Sequence, residues 1–116
     1  MLTILFVEDD SAVRDVVVQM LHQRGFAVLT AADAYDAIRI LRGRHVDVLF
    51  TDIIMPGMDG VQLAKQAKSI RPGIKVLFET GYAQLATTRQ AISYGQVLYK
   101  PLREVEMVAA IQALAA

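Results

Sequence analysis

A chain of 116 residues, 54% hydrophobic and 21% charged, is long enough for one domain with a single core. Its 12 basic and 12 acidic residues balance without a dense basic patch, so direct binding of nucleic acid is not expected. The absence of cysteine excludes disulfides and thiolate metal sites, and the lack of a basic leader or a long apolar run argues against a signal peptide or a membrane span, which together fit a cytoplasmic protein.

Short apolar runs alternate with helical patterns along the whole chain. The predicted strands cover residues 2–7, 26–30, 46–51, 74–78 and 96–99. Ser11 is predicted to cap the first helix and Asp33 the second, while the fourth helical pattern, over 83–94, is weak. Five strand–helix units in this order predict an α/β domain over residues 1–116, in which helices cover both faces of a parallel sheet.

Polar side chains follow four of the predicted strands. They are Glu8, Asp9 and Asp10 after the first strand, Asp52 after the third, Thr80 after the fourth and Lys100 after the fifth. Ligands of such sheets bind beyond the carboxyl ends of the strands, so we expect these groups to share one cavity.

Carboxylates that share a small space favour a hard divalent cation such as Mg²⁺. Asp9 and Asp52 are the best candidate ligands, Glu8 can help directly or through water, and a backbone carbonyl after Asp52 can complete the set. A carboxylate can also attack phosphorus. Asp52 is therefore a candidate phosphoryl acceptor, with Lys100 to neutralise charge and Thr80 to donate a hydrogen bond.

Four motifs resemble the receiver domain of two-component response regulators, in the order of that family. They are LFVEDD (5–10), DIIMPGMDG (52–60), TG (80–81) and KP (100–101). The resemblance implies a doubly wound, flavodoxin-like sheet with strand order 2-1-3-4-5. It also implies that Asp52 accepts a phosphoryl group from a sensor histidine kinase or a histidine phosphotransfer protein, with output through an effector protein or domain.

The same resemblance assigns the other residues of the site. Glu8 and Asp9 match the acidic pair that binds Mg²⁺, and the backbone carbonyl of Ile54 matches the third protein ligand. Thr80 and Lys100 match the switch hydroxyl and the phosphate-contacting lysine; Asp10 is left out, and the Lys100–Pro101 bond is expected to be cis. A homodimer through the face from the fourth helix to the fifth is also expected.

Some positions depart from the family pattern. The aromatic residue expected three positions before Lys100 is replaced by Val97, so either Tyr99 substitutes for it or Tyr99 is a packed strand-end residue. The segment from Thr80 to Lys100 is short, which predicts an irregular fourth helix. Apolar Ile54 and bulky Tyr82 are expected to slow hydrolysis of an acyl phosphate to minutes or longer.

Other interpretations remain open at this point. A Mg²⁺-dependent phosphohydrolase would want a second acid two residues after Asp52, where Ile54 stands, and a flavodoxin-like cofactor binder would not place acids after the first strand. A degenerate receiver that switches without phosphate is a further alternative. We expect no turnover of an external substrate, a cap or turn role for Asp59, and a solvated Glu79.

Overall fold

The computed structural model describes residues 1–82 and 85–115, and strands alternate with helices throughout them. The elements are β1 (Thr3–Val7), α1 (Ser11–Gln23), β2 (Ala27–Ala31), α2 (Ala34–Gly43), β3 (Val48–Asp52), α3 (Gly60–Ile70), β4 (Lys75–Thr80), α4 (Ala86–Ala91), β5 (Gln96–Tyr99) and α5 (Glu104–Ala115). The five strands form one parallel sheet in the order β2-β1-β3-β4-β5, which confirms the predicted fold. No helix in these two ranges is long and apolar enough to cross a membrane.

Strands β3 and β4 extend one and two residues beyond the carboxyl ends of the apolar runs that predicted them, to Asp52 and Thr80. The ladder pairs Asp52 with Glu79, and it pairs Thr80 with Tyr99 of β5. Acidic residues are poor strand formers, so neighbouring strands decide these last positions rather than local propensity. As a result, Asp52 and Thr80 are the final residues of their strands and are held by the sheet itself.

The N-caps of α2 and α3 agree with those predicted from the sequence, and the N-cap of α1 differs. Asp33 accepts a hydrogen bond from the N–H of Asp36, as expected, and Asp59 forms a capping box with Gln62. The first helix is capped by Asp10 and not by Ser11, because the carboxylate of Asp10 accepts from two N–H groups of the first turn. This contact also gives Asp10 a structural role at the edge of the sheet.

The fourth helix is short, as its weak pattern suggested. It covers six residues, Ala86–Ala91, and its N-cap Leu85 offers no side-chain hydrogen bond. Residues 83 and 84, where the predicted helix began, lie outside the described ranges. Behind the helix, Gly95 passes so close to β4 that a Cβ there would lie 2.2 Å from the carbonyl oxygen of Val76, so only glycine fits this crossing.

The core consists of two apolar layers, one on each face of the sheet. One layer packs under α2 and α3, and the other packs under α1 and α5. The second layer contains four large strand residues, namely Phe6, Phe50, Leu77 and Leu98. Because strand side chains alternate between faces, the residues two positions further along point to the same side of the sheet. Those residues are Glu8, Asp52, Glu79 and Lys100.

Candidate phosphoacceptor and metal site

Three neighbouring strands carry a carboxylate in the same row and on the same face. Asp52 of β3 is paired with Glu79 of β4, and Glu8 directly follows β1, whose Val7 is paired with Thr51. Carboxylate oxygens of Glu8, Asp52 and Glu79 all lie within 4.8 Å of one another, and all three residues are buried. Like charges placed side by side on a sheet repel each other, so this row requires positive charge nearby.

Lys100, which directly follows the carboxyl end of β5, supplies positive charge. Its Nζ lies 2.9 Å from Oδ2 of Asp52, 3.5 Å from Oε1 of Glu8 and 3.9 Å from Oε1 of Glu79. Burial lowers the pKa of this ammonium, but the hydrogen bond to Asp52 and the three carboxylate charges outweigh burial and raise the pKa above its usual value. Lys100 therefore stays charged, and the Lys100–Pro101 bond after it is cis, as predicted.

The carboxylate of Asp52 is held by one contact on each oxygen. Oδ2 accepts from Lys100 at 2.9 Å, and Oδ1 accepts from the backbone N–H of Ile54 at 3.2 Å. The second contact forms because the chain turns back directly after β3, and the N–H of Gly60 then donates to the carbonyl of Ile53 at 2.8 Å. With 6% of its surface exposed, Asp52 is buried but not fully enclosed.

Glu79 was expected to be solvated at the end of its strand, and this expectation is wrong. The residue is 0% exposed, and neither carboxylate oxygen has a hydrogen-bond partner within the described ranges. Burial raises the pKa of Glu79 to about 9, helped by the neighbouring carboxyl group of Glu8 and by the charges of Glu8 and Asp52, and opposed by Lys100. The sequence carried only a weak signal for it: Glu79 lies two residues after Leu77 and so on the same face of its strand, whereas its place beside Asp52 depends on the strand register.

The remaining predicted residues lie at the same edge with different surroundings. Asp9 directly follows Glu8 and is exposed, and it does not belong to the group of clustered carboxylates. Thr80 is fully buried, and its hydroxyl accepts a hydrogen bond from the N–H of Tyr82 at 3.1 Å. The side chain of Ile54 is 37% exposed beside the site. The structure thus gathers Glu8, Asp52 and Lys100, adds Glu79, and leaves the roles of Asp9 and Thr80 as predictions.

Two expectations concern aromatic residues near the site. Tyr99 is 47% exposed, so the prediction that it packs as a strand-end residue is wrong, while its proposed substitution for the missing aromatic at Val97 stays a prediction. Val97 packs against the apolar layer under α3. Tyr82 is exposed next to Thr80, and the long acyl-phosphate lifetime expected from Tyr82 and Ile54 also stays a prediction.

The donor set fits a hard divalent cation. Carboxylate oxygens are the ligands that Mg²⁺ prefers, and oxygens of three buried carboxyl groups lie together here beside a single ammonium. The two oxygens of Glu79 have no hydrogen-bond donor within the described ranges. A cation among these oxygens would supply the missing partner and favour the ionised form of the carboxyl groups.

Comparison with known proteins agrees with this geometry. The family model for the response regulator receiver domain matches residues 4–112. The chain is 35% identical over 111 residues to the response regulator receiver protein CpdR of Brucella abortus (strain 2308), covering 94% of this chain and 92% of that protein. It is 40% identical over 89 residues to the sensor kinase CckA of the same strain, covering 75% of this chain and 9% of the kinase.

A solved structure shows the same fold. The receiver domain protein (CheY-like) from Methanospirillum hungatei JF-1 superposes with a TM-score of 0.91 and 30% identity, covering 99% of this chain and 94% of that one. The chain therefore belongs to the receiver domain family of two-component response regulators. This is a family of signalling domains rather than of enzymes, and the comparisons give no support to a phosphohydrolase.

Proposed function

We propose that residues 1–116 act as a receiver domain in which Asp52 accepts a phosphoryl group from a phosphohistidine. The observation that carries this proposal is the placement of Asp52, whose carboxylate lies 2.9 Å from Lys100 Nζ in a buried acidic row at the carboxyl edge of the sheet. Nearly every sequence can place a lone aspartate at a strand end, but a purely structural aspartate needs no buried acids around it. A nucleophilic carboxylate does benefit from groups that can balance incoming phosphoryl charge.

In the proposed transfer, an oxygen of Asp52 forms a bond to phosphorus while the bond from phosphorus to the donor imidazole nitrogen breaks. Lys100 then moves its hydrogen bond from the carboxylate to a phosphoryl oxygen and neutralises part of its charge. The hydroxyl of Thr80, which accepts from the N–H of Tyr82, donates a hydrogen bond to another phosphoryl oxygen. The N–H of Ile54 keeps the carboxylate oriented, since it donates to Oδ1 at 3.2 Å.

The proposed cation is Mg²⁺, with Glu8, Asp9, Asp52 and the backbone carbonyl of Ile54 as the residues that hold it. When bound, Mg²⁺ supplies positive charge to the carboxylates and to the phosphoryl oxygens. Glu8 is buried within the row and its Oε2 accepts from the N–H of Asp10 at 3.2 Å, which fixes its orientation. Exposed Asp9 can reach the cation from the solvent side of the same edge.

The proposed partners follow from the transfer reaction. A sensor histidine kinase or a histidine phosphotransfer protein donates the phosphoryl group, and an effector protein or domain responds to the phosphorylated form. No contact with nucleic acid or membrane by this domain is proposed, and the relay is placed in the cytoplasm, which suits a chain without cysteine. We also propose that the domain self-associates through the surface formed by α4, β5 and α5. We propose that it does not turn over an external substrate.

The first prediction tests the acceptor directly. Incubation of the chain with Mg²⁺ and a small-molecule phosphodonor is expected to add the mass of one phosphoryl group, because Asp52 carries the only carboxylate that Lys100 contacts within 3 Å in the described ranges. Intact mass spectrometry measures the addition. The Asp52→Asn variant, which keeps the shape of the side chain but is a poor nucleophile, is expected to show none.

The matched control is Asp15→Asn, which changes an exposed aspartate of α1 in the same way. This variant should be phosphorylated like the wild type. Addition of a phosphoryl group to the Asp52→Asn variant, or none to the wild type, would contradict the proposed function.

A further inference from the structure

Glu79 is a buried acid to which the proposed function gives no role. Its two carboxylate oxygens lack hydrogen-bond donors within the described part of the chain, although the residue is 0% exposed. A buried polar group without a partner destabilises a fold, and a buried charge does so more strongly. Because burying Glu79 near the carboxyl end of β4 lowers the stability of the fold, we expect an interaction that compensates for it.

Lys100 does not fully supply that interaction. Its Nζ is 3.9 Å from Oε1 of Glu79, beyond hydrogen-bond distance, whereas its contact with Asp52 is 2.9 Å long. The ammonium of Lys100 therefore hydrogen-bonds to Asp52 and not to Glu79. One carboxylate oxygen of Glu79 lies within 4.8 Å of an oxygen of Glu8 and of an oxygen of Asp52, which are themselves acidic.

That spacing is what one central cation can bridge. Mg²⁺ holds oxygen ligands at about 2.0 to 2.1 Å, so two of its ligands lie at most about 4.2 Å apart. Oxygens within 4.8 Å of one another need only a small inward shift of the side chains to share it. Glu79 is fixed in position by the ladder that pairs it with Asp52, and its backbone carbonyl accepts from the N–H of Ile53 at 3.0 Å. Its carboxylate is therefore presented to the row by a rigid strand.

We propose that Glu79 is an additional carboxylate ligand of the divalent cation, on the buried side of the site beside Glu8 and Asp52. The inference rests on the proposed function, because it assigns one more residue to the same cation site. Sites for Mg²⁺ commonly use one or two carboxylates together with substrate phosphate. An additional buried carboxylate is expected to strengthen binding of Mg²⁺ before any phosphoryl group arrives.

The test is the dissociation constant of Mg²⁺ for the unphosphorylated chain, measured by isothermal titration calorimetry at constant pH. Glu79→Gln is expected to weaken binding about tenfold or more, because it removes one charged ligand and keeps the size of the side chain. Glu79→Met, which removes the polar group altogether, should weaken it at least as much and serves as the second variant. Glu106→Gln, at an exposed position of α5, is the matched control and should bind like the wild type.

The outcomes separate this inference from the proposed function. Weaker binding by both Glu79 variants, with an unchanged Glu106 control, supports Glu79 as a ligand. Binding by either folded Glu79 variant within about twofold of the wild type overturns Glu79 as a ligand and leaves the proposed function standing. A wild-type chain that binds no Mg²⁺ overturns both. Circular dichroism of each variant establishes that it is folded.

Discussion

Replacing Glu79 with methionine is expected to raise the free energy of unfolding of the metal-free chain by about 1 to 3 kcal/mol. The change removes a buried carboxylate with no hydrogen-bond partner in the described ranges and fills the same space with an apolar side chain. The contact between Lys100 and Asp52 does not involve Glu79 and is kept. Urea denaturation in a chelating buffer measures the difference.

Glu106→Met provides the comparison for this stability prediction, since Glu106 is exposed and only forms a 3.5 Å surface ion pair with Arg103. Its effect should stay within about 0.5 kcal/mol. If Glu79→Met proves less stable than the wild type without metal, the carboxylate of Glu79 has a compensating partner in the folded chain, and the view that its burial is uncompensated is wrong.

Single residues also show where sequence reasoning succeeds and fails. Asp52 and Lys100 were identified because their residue types match a motif, and the structure brings them together. Ser11 was chosen as a cap because serine is a good one, but Asp10 stands one residue earlier and forms the contact instead. Glu79 was missed because burial depends on neighbouring strands, which the residue's own local sequence does not reveal.

At the scale of elements, Gly60→Ala is expected to lower the free energy of unfolding by about 1 to 3 kcal/mol. Gly60 opens α3, and a Cβ there would lie 2.2 Å from the carbonyl oxygen of Asp52. The start of the helix must then move away from the end of β3. Urea denaturation measures the loss, and phosphorylation of the variant should also slow because Asp52 is displaced.

Gly43→Ala is the matched control for this change. Gly43 is the last residue of α2, and an added Cβ would meet nothing within 4 Å. Alanine there should be neutral or stabilise the chain by up to about 1 kcal/mol. Equal stability of the two alanine variants would mean that α3 tolerates a shift at its docking point on β3, contrary to the close approach seen in the structure.

The elements differ in how far the sequence predicted them. The strands were placed because their apolar runs are short and bounded by turn residues, but the ends of β3 and β4 were placed too early. The polar ends Asp52 and Thr80 join the sheet only because neighbouring strands offer hydrogen-bond partners. The weak pattern of the fourth helix did indicate a poor helix, and its described part is a six-residue segment with no side-chain cap.

For the molecule as a whole, the phosphorylated chain is expected to self-associate through the surface formed by α4, β5 and α5. β5 is an edge strand, and exposed apolar side chains lie on or beside this surface at Ile92, Tyr99 and Val105. Phosphorylation at Asp52 changes charge beside Lys100, which directly follows β5. Val105→Lys is expected to weaken dimer formation about tenfold or more, as measured by sedimentation velocity of the phosphorylated protein.

Val16→Lys is the control for that measurement, because Val16 is also an exposed apolar residue but lies on α1. It should leave self-association unchanged. Equal weakening by both variants would point to nonspecific apolar contact, and a phosphorylated wild type that remains monomeric would contradict the proposed surface.

The sequence by itself determined the class of fold, the likeness to receiver domains and most of the residues that meet at the candidate site. Alternating apolar runs and helical patterns leave few arrangements other than a parallel sheet, and a parallel sheet brings its carboxyl ends to one edge. What only the tertiary structure decided is the row formed by Glu8, Asp52 and Glu79. Charge, burial and spacing in that row depend on the register of three strands, and register is a property of pairing between segments far apart in the chain.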